Sequence, residues 1–487
     1  MGRVTLAIVV AFALLSAAII AAPAAPAGQA EQRKAPASTH ADKFDHYEGT
    51  KTCLTCHRTE AQTFFHSQHY QWRGATPKLA NAGGQRLGKI NTINDFCTGP
   101  SVNWIGIVKN ARGDIVSKGC SRCHAGAGVR PSERMTEQQL ENIDCLLCHA
   151  SGYQRDIVAV ADGSFSWKPI LWKNQEGLDS VAKRISRPTR TMCLRCHSAS
   201  GGGPNFKRGD IEYVLADPPR DHDVHMAAEG GANLQCVDCH GGTDHRVIGR
   251  GTDLPATDSP GKTLSCEGTC HDASPHKQPV LNQHTSRVYC TTCHVPAFAR
   301  EEPTDMVRDW SKPAYNADAD KFTATITLQK DVIPVYAWFN GTSVATLPKQ
   351  SARVDASGRV VMMAPVGSRI DRSARIYPFK LHRGRMPLMT GRRWIIPMLV
   401  EEFFADGNVD AAVKNASREF YDVPDPKYAW TDTVRYMGIF HGVPPARNAV
   451  SCLGCHSPDG RLDWKALGYA GDPLSRRRAS ATSLNAR

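Results

Sequence analysis

Cys120-Ser121-Arg122-Cys123-His124, followed by Cys145-Leu146-Leu147-Cys148-His149, is the stretch that decides how this chain is read. Two cysteines two residues apart, with a histidine directly after the second, put two thiols and an imidazole on one helical turn. That is the attachment pattern of a c-type haem. Both sulfurs form thioethers at the porphyrin edge and the histidine binds the iron. Working outward, the pattern recurs at Cys53–His57, Cys193–His197, Cys236–His240, Cys290–His294 and Cys452–His456. An eighth copy, Cys266-Glu267-Gly268-Thr269-Cys270-His271, has one extra residue, which the backbone freedom of Gly268 is expected to absorb.

The thioether cysteines are therefore Cys53, Cys56, Cys120, Cys123, Cys145, Cys148, Cys193, Cys196, Cys236, Cys239, Cys266, Cys270, Cys290, Cys293, Cys452 and Cys455. Of the 17 cysteines only Cys97 is left over. A disulfide framework or paired zinc modules are the competing readings of so many cysteines. A histidine after every pair argues against both, and for Cys266 and Cys270 alone a disulfide or zinc pair is the rival. The proximal iron ligands are His57, His124, His149, His197, His240, His271, His294 and His456, and the cofactor set is eight haem c.

Eleven of the 19 histidines remain. An electron-transfer haem takes a sixth ligand, often a second histidine. His40, His69, His225, His245, His276, His284, His382 and His441 are the candidates, with His46, His66 and His222 left out.

The N-terminus carries Arg3, an apolar run from Val4 to Ala22, and the A-x-A site Ala25-Pro26-Ala27. Residues 1–30 read as a secretory signal, cleaved on export, with an uncleaved anchor as the alternative because the run is about long enough to span a bilayer. Haem attachment to such motifs occurs outside the cytoplasm, so the expected compartment is the periplasm. The formal charge of +12 does not indicate nucleic acid. Haem propionates more than offset it, and arginines pair with carboxylates.

Residues 31–300 hold seven motifs, residues 301–470 hold the eighth, and the Ser/Arg/Ala-rich residues 471–487 are expected to be disordered. Aromatic content is only 7%, so porphyrins are expected to serve as the core. A short helix is expected over Glu133–Asp144 and another over Ala411–Phe420, while alternation along Phe322–Leu328 predicts a hairpin or two within 321–365. The fold class read from this is mainly α and loop-rich, a multihaem cytochrome c wrapped around an eight-haem array, with minor β hairpins.

Several stretches outside the motifs are distinctive. They include Gly88–Cys97 (Gly-Lys-Ile-Asn-Thr-Ile-Asn-Asp-Phe-Cys), Arg187–Arg190, Asp223–Met226, Ser274–Lys277, Leu281–His284, Trp338–Thr342 and Tyr377–Gly384. In these the chain resembles the octahaem tetrathionate reductase family of periplasmic cytochromes, from about His40 to Leu462. The resemblance implies eight haems, most with two histidine ligands, and one active-site haem, here at Cys120, Cys123 and His124. Its distal ligand is implied to be a lysine in the glycine-rich segment Gly201–Asp210, which is Lys207. A free cysteine near that haem matches Cys97.

Two departures bear on substrate. Pro204 stands where the family has an Asp, and Arg208 where it has a His. The insertion-like stretch Gly99–Lys118 is expected to reshape the pocket mouth. His225 and His382 remain possible pocket residues, since eight candidate histidines exceed seven distal places.

The function implied is a reductase acting on a small inorganic substrate (tetrathionate, nitrite or hydroxylamine), supplied by a periplasmic or membrane-bound donor cytochrome. Lys207, Cys97 and His124 are the catalytic residues. A non-enzymatic electron carrier and a hydroxylamine-oxidising enzyme are the alternatives.

Overall fold

The computed structural model describes residues 40–96, 98–110, 112–170, 177–241, 243–249 and 264–475. The signal segment, Cys97 and the tail from residue 476 lie outside the described residues.

Up to about residue 300 the chain is short helices joined by loops and three two-stranded ribbons. Most C-x-x-C-H motifs form or end such a helix, as in Arg190–His197, Cys236–Cys239 and Cys290–His294. Helices this short are not stable alone and depend on what they pack against. The helix expected over Glu133–Asp144 is confined to Glu137–Glu141, where the Thr136 side chain accepts from the amide of Gln139. In the longer motif Gly268 has ordinary helical geometry, unlike the expectation. A Cβ there would crowd Ser265 Oγ, which accepts from the Gly268 amide, and the extra residue is absorbed where Cys270 leaves the helix (φ −133°).

The second part is not mainly α. It is built on an eight-stranded mixed sheet, the largest unit in the molecule. The central strand Arg375–Met389 pairs antiparallel with Tyr428–Gly438 and Val335–Phe339, and parallel with Thr304–Asn316. Thr304–Asn316 forms a hairpin with Lys321–Gln329, as the Phe322–Leu328 alternation predicts. Val360–Pro365 lies parallel to Tyr428–Gly438 and pairs with Ser343–Ala345. The Ala411–Phe420 pattern is a helix, Val409–Tyr421, capped by the Asn408 side chain.

That helix buries Ala412, Val413 and Tyr421 in a cluster with Trp310, Met386, Met398 and Phe403. The central strand is buried along nearly its whole length, as strands covered on both faces are. On it Lys380 and His382 share a face, and His382 lies directly opposite Arg435. Among the described residues no helix is long and apolar enough to cross a membrane.

Candidate functional site

Seven of the eight motif histidines face a second histidine ring. The ring centroids are 5.8 Å apart for His40–His57, 6.2 Å for His69–His197 and 6.4 Å for His149–His245. They are 6.1 Å apart for His225–His271, 6.0 Å for His240–His441, 6.0 Å for His276–His294 and 6.3 Å for His284–His456. Two imidazoles bonded to opposite sides of one metal, at about 2 Å per bond, put their centroids about 6 Å apart. Direct packing brings ring faces nearer, as for Tyr289 and Tyr377 at 4.1 Å. The seven gaps fit an iron between each pair.

Room for the porphyrins is present as well. Six of the seven pairs line one cavity of about 2070 Å³. Protein interiors hold few voids larger than a water. A space of this size suits an array of large flat cofactors and no ordinary side-chain core.

The protein fixes the histidines by their other nitrogens. Nδ1 of His149 lies 2.9 Å from the carbonyl of Ser186, and Nδ1 of His240 lies 2.6 Å from that of Ile248. His284 Nδ1 uses the Val280 carbonyl (2.8 Å), His441 uses Asp210 (3.0 Å) and His456 uses Asp472 (2.7 Å). A donor at Nδ1 leaves the Nε2 lone pair free and aims the ring, the usual arrangement behind a metal ligand. Burial pushes the His197 imidazole down to about 3, so it stays neutral as an iron ligand must be. Sequence reasoning missed Asp210 and Asp472 as orienting groups.

His124 differs. Among the described residues no histidine faces it. It is fully buried, with its ring against Tyr70 (5.2 Å), Trp72 (5.4 Å) and Trp104 (4.8 Å). Its Nε2 lies 2.5 Å from the Tyr70 carbonyl, and its Nδ1 has no hydrogen-bond partner among the described residues. Burial holds its pKa down at about 3. The neutral imidazole fits an iron by chemistry. The ring as placed does not present Nε2 to the cavity, so the facing-pair fit found at the other seven is missing here. Trp104 comes from the Gly99–Lys118 stretch, which folds as a ribbon of Ile107–Lys109 with Ile115–Lys118 and lays this indole on His124.

Lys207 lines the large cavity, as does Cys123, and is only 8% exposed. Its loop is tight. Gly201 and Gly202 have φ of +96° and +97°, a region that favours glycine. Arg208 donates to the Gly438 carbonyl (2.9 Å).

His382, a candidate sixth ligand by sequence, is placed otherwise. It faces no motif histidine among the described residues. It sits mid-strand under Phe96, its ring 4.0 Å away, with Nδ1 at 2.6 Å from Asp95 and Nε2 at 3.5 Å from Asp305. The surrounding strand face is closed by that segment, so no flat cofactor reaches the ring. Burial works against the Asp95 charge, but Arg435 and His382 hold the carboxyl well below the usual carboxylate range. Cys97 lies outside the described residues, but its neighbours Phe96 and Thr98 are both anchored, Phe96 through Arg308 and Thr98 through Met398. Of the histidines left out, His46 contacts Asp179, His66 packs on Phe65, and His222 lies beside Glu212.

The motifs touch in their sequence order with one exception, the Cys120 motif. The thiols of Cys53 and Cys145 are in contact, as are those of Cys123 and Cys196, Cys193 and Cys236, and Cys266 and Cys290. Cys148 is near Cys193, Cys239 near Cys270, and Cys293 near Cys455. The contacts form one line from the Cys53 motif through those of Cys145, Cys193, Cys236, Cys266 and Cys290 to Cys452. The Cys120 motif branches from the Cys193 motif.

Residues 299–459 match the family model described as bacterial cytochrome c. The chain is 30% identical to octahaem cytochrome c from Shewanella oneidensis, with a TM-score of 0.71, over 89% of this chain and 96% of that one. It is also 36% identical over 233 residues to an uncharacterised protein of Archaeoglobus fulgidus, covering 41% of this chain and 75% of the relative.

Proposed function

The chain belongs to the multihaem cytochromes c, the family of the Shewanella octahaem protein, and on that footing we propose that it carries eight haem c and acts as a periplasmic octahaem reductase. The observation that carries this is the contrast between seven facing histidine pairs and one motif histidine, His124, that faces none among the described residues. A haem array supplies stored electrons, and an iron lacking a second imidazole supplies an exchangeable position.

In this reading His40, His69, His225, His245, His276, His284 and His441 are the sixth ligands, and His382 is not one. Electrons from a periplasmic or membrane-bound donor cytochrome spread along the line of motifs and reach the Cys120 motif from the Cys193 motif. There a small inorganic substrate is reduced, tetrathionate, nitrite or hydroxylamine. Lys207 on the cavity wall is the displaceable ligand, and Cys97 is the free cysteine assigned to the reaction. The chain's own residues bury Lys207, wall His124 with aromatic rings, and hold five histidines by Nδ1.

Mass spectrometry with anaerobic reoxidation tests this. Eight covalent haems are expected, together with reoxidation of the reduced protein by at least one of the three compounds. Seven haems, or no reoxidation by any of them, would overturn it. The non-enzymatic carrier remains as a second reading, favoured by Nε2 of His124 lying on the Tyr70 carbonyl behind three aromatic rings. It requires all eight irons to be six-coordinate and slow to bind cyanide.

A further inference from the structure

Two buried cations on neighbouring strands of the sheet, Lys380 on Arg375–Met389 and Arg308 on Thr304–Asn316, bind the loop that carries Lys207. Lys380 is fully buried. Its ammonium donates to the carbonyl of Phe206 (2.7 Å), the carbonyl of Lys207 itself (3.1 Å) and Thr304 Oγ1 (2.6 Å). Thr304 Oγ1 in turn donates to the carbonyl of Asn205 (2.7 Å). Arg308 donates to the carbonyl of Gly201 (2.7 Å), to that of Phe96 (2.9 Å) and to Asp305 (2.7 Å). One guanidinium thus joins the segment preceding Cys97 to the start of the Lys207 loop. The remaining charges facing Lys380 are Asp305, Arg208 and Asp210.

An isolated ammonium in a protein interior is costly, and an apolar side chain of similar length fills such a site more cheaply. Here every donor of Lys380 is used on the loop or on the residue that braces it. The loop is also pinned from the Asn205 amide to the Ser198 carbonyl (2.7 Å) and from the Lys207 amide to the Ser200 carbonyl (3.1 Å), but its backbone at Gly201, Gly202 and Asn205 is left-handed (φ +96°, +97° and +53°), and Lys380 is the side chain that holds the Lys207 carbonyl. We infer that Lys380 and Arg308 are positioning residues, which fix the height and angle at which the Lys207 side chain meets the cavity. The inference rests on the reading of Lys207 as the displaceable ligand. Neither residue lines the large cavity.

The test uses the haem-loaded protein and three variants. Lys380→Met removes the ammonium at nearly constant length. Amide exchange across 201–209 is expected to rise about tenfold or more, as for a local opening. Cyanide binding to the oxidised protein is expected to quicken about tenfold, with the seven bis-histidine low-spin signals unchanged. A purely structural role would instead move the melting temperature or all the haem signals together. Thr304→Val removes one acceptor without the charge and is expected to shift exchange and cyanide binding the same way by less. It keeps the proposal open to refutation if Lys380→Met fails to fold.

Lys207→Ala separates this inference from the reading beneath it. If Lys207→Ala leaves the haem spectrum and cyanide binding as in the wild type, Lys207 is no ligand and both ideas fall. If Lys207→Ala changes them while Lys380→Met and Thr304→Val do not, the positioning role alone is overturned.

Discussion

At the scale of single residues, iron ligands and their supports differ in how visible they are. The proximal histidines are legible because attachment chemistry dictates their spacing. Asp210 is not, because it acts on His441, more than two hundred positions away. Its buried carboxylate accepts from His441 Nδ1 (3.0 Å) and from the Phe440 amide (2.9 Å). Burial opposes its charge, yet Arg208 and His441 hold its pKa well below the usual carboxylate range. Replacing such a supporting group typically costs about 10–100-fold in metal affinity. Asp210→Ala is therefore expected to speed displacement of His441 by external imidazole about 10–100-fold, measured by stopped-flow absorbance, while the other pairs stay inert.

His382 is visible only as one of the histidines left over from the motifs, and tertiary packing against Phe96 and Asp95 is what reveals its place. His222 has a further consequence. Burial, then Arg300, lower its pKa from 6.5 to about 4. Between those values the unfolded chain binds a proton that the folded chain does not, so stability falls as pH drops through this window. The contribution is at most about 3 kcal/mol. His222→Leu is expected to flatten the urea midpoint against pH between pH 6.5 and 4, relative to wild type. An unchanged slope would refute the assignment.

At the scale of elements, helix Val409–Tyr421 follows from periodicity because it has one buried face, and strand Lys321–Gln329 because Phe322, Ala324 and Ile326 are less exposed than Thr325 and Thr327. The central strand does not. Arg375–Met389 is buried on both faces and carries Arg, Lys and His among its apolar residues, so it shows neither alternation nor an apolar run. The weight of the haem motifs also pulled the expectation toward helix, although residues 301–450 contain none. The ribbon after Gly99 is a second element with a local duty. Trp104 is 8% exposed, donates to the carbonyl of Gly128 (2.7 Å) and packs on both Trp72 and His124. Trp104→Ala is expected to cost about 3–5 kcal/mol, the range for removing a buried indole. Chemical denaturation measures this, and a visible spectrum altered at one haem only would place the damage at His124.

At the scale of the whole molecule, the side branch of the Cys120 motif is what sequence cannot supply, since the other seven motifs touch in their sequence order. Contacts between thiols from different motifs depend on loops of irregular length, and the chain returns to the Cys452 motif only after the sheet is complete. The resulting line has the Cys53 and Cys452 motifs at its ends and the Cys120 motif as a side branch at Cys193. This geometry makes a prediction that sequence order does not. If electrons reach the Cys120 motif through the Cys193 motif, then removing His69, which faces His197 at 6.2 Å, disturbs the junction itself. Removing His284, which faces His456 at 6.3 Å, disturbs only one end of the line. Loss of an axial imidazole alters the reduction potential of its iron strongly, since the axial ligand is a main lever on haem potential. His69→Ala is therefore expected to slow reoxidation of the reduced protein by substrate about tenfold or more, while His284→Ala leaves that rate within about twofold, because a tenfold change needs only about 1.4 kcal/mol in the barrier. Anaerobic stopped-flow absorbance on the pre-reduced variants gives both rates. Equal slowing by the two substitutions would show that the Cys120 motif is not fed through the branch at Cys193.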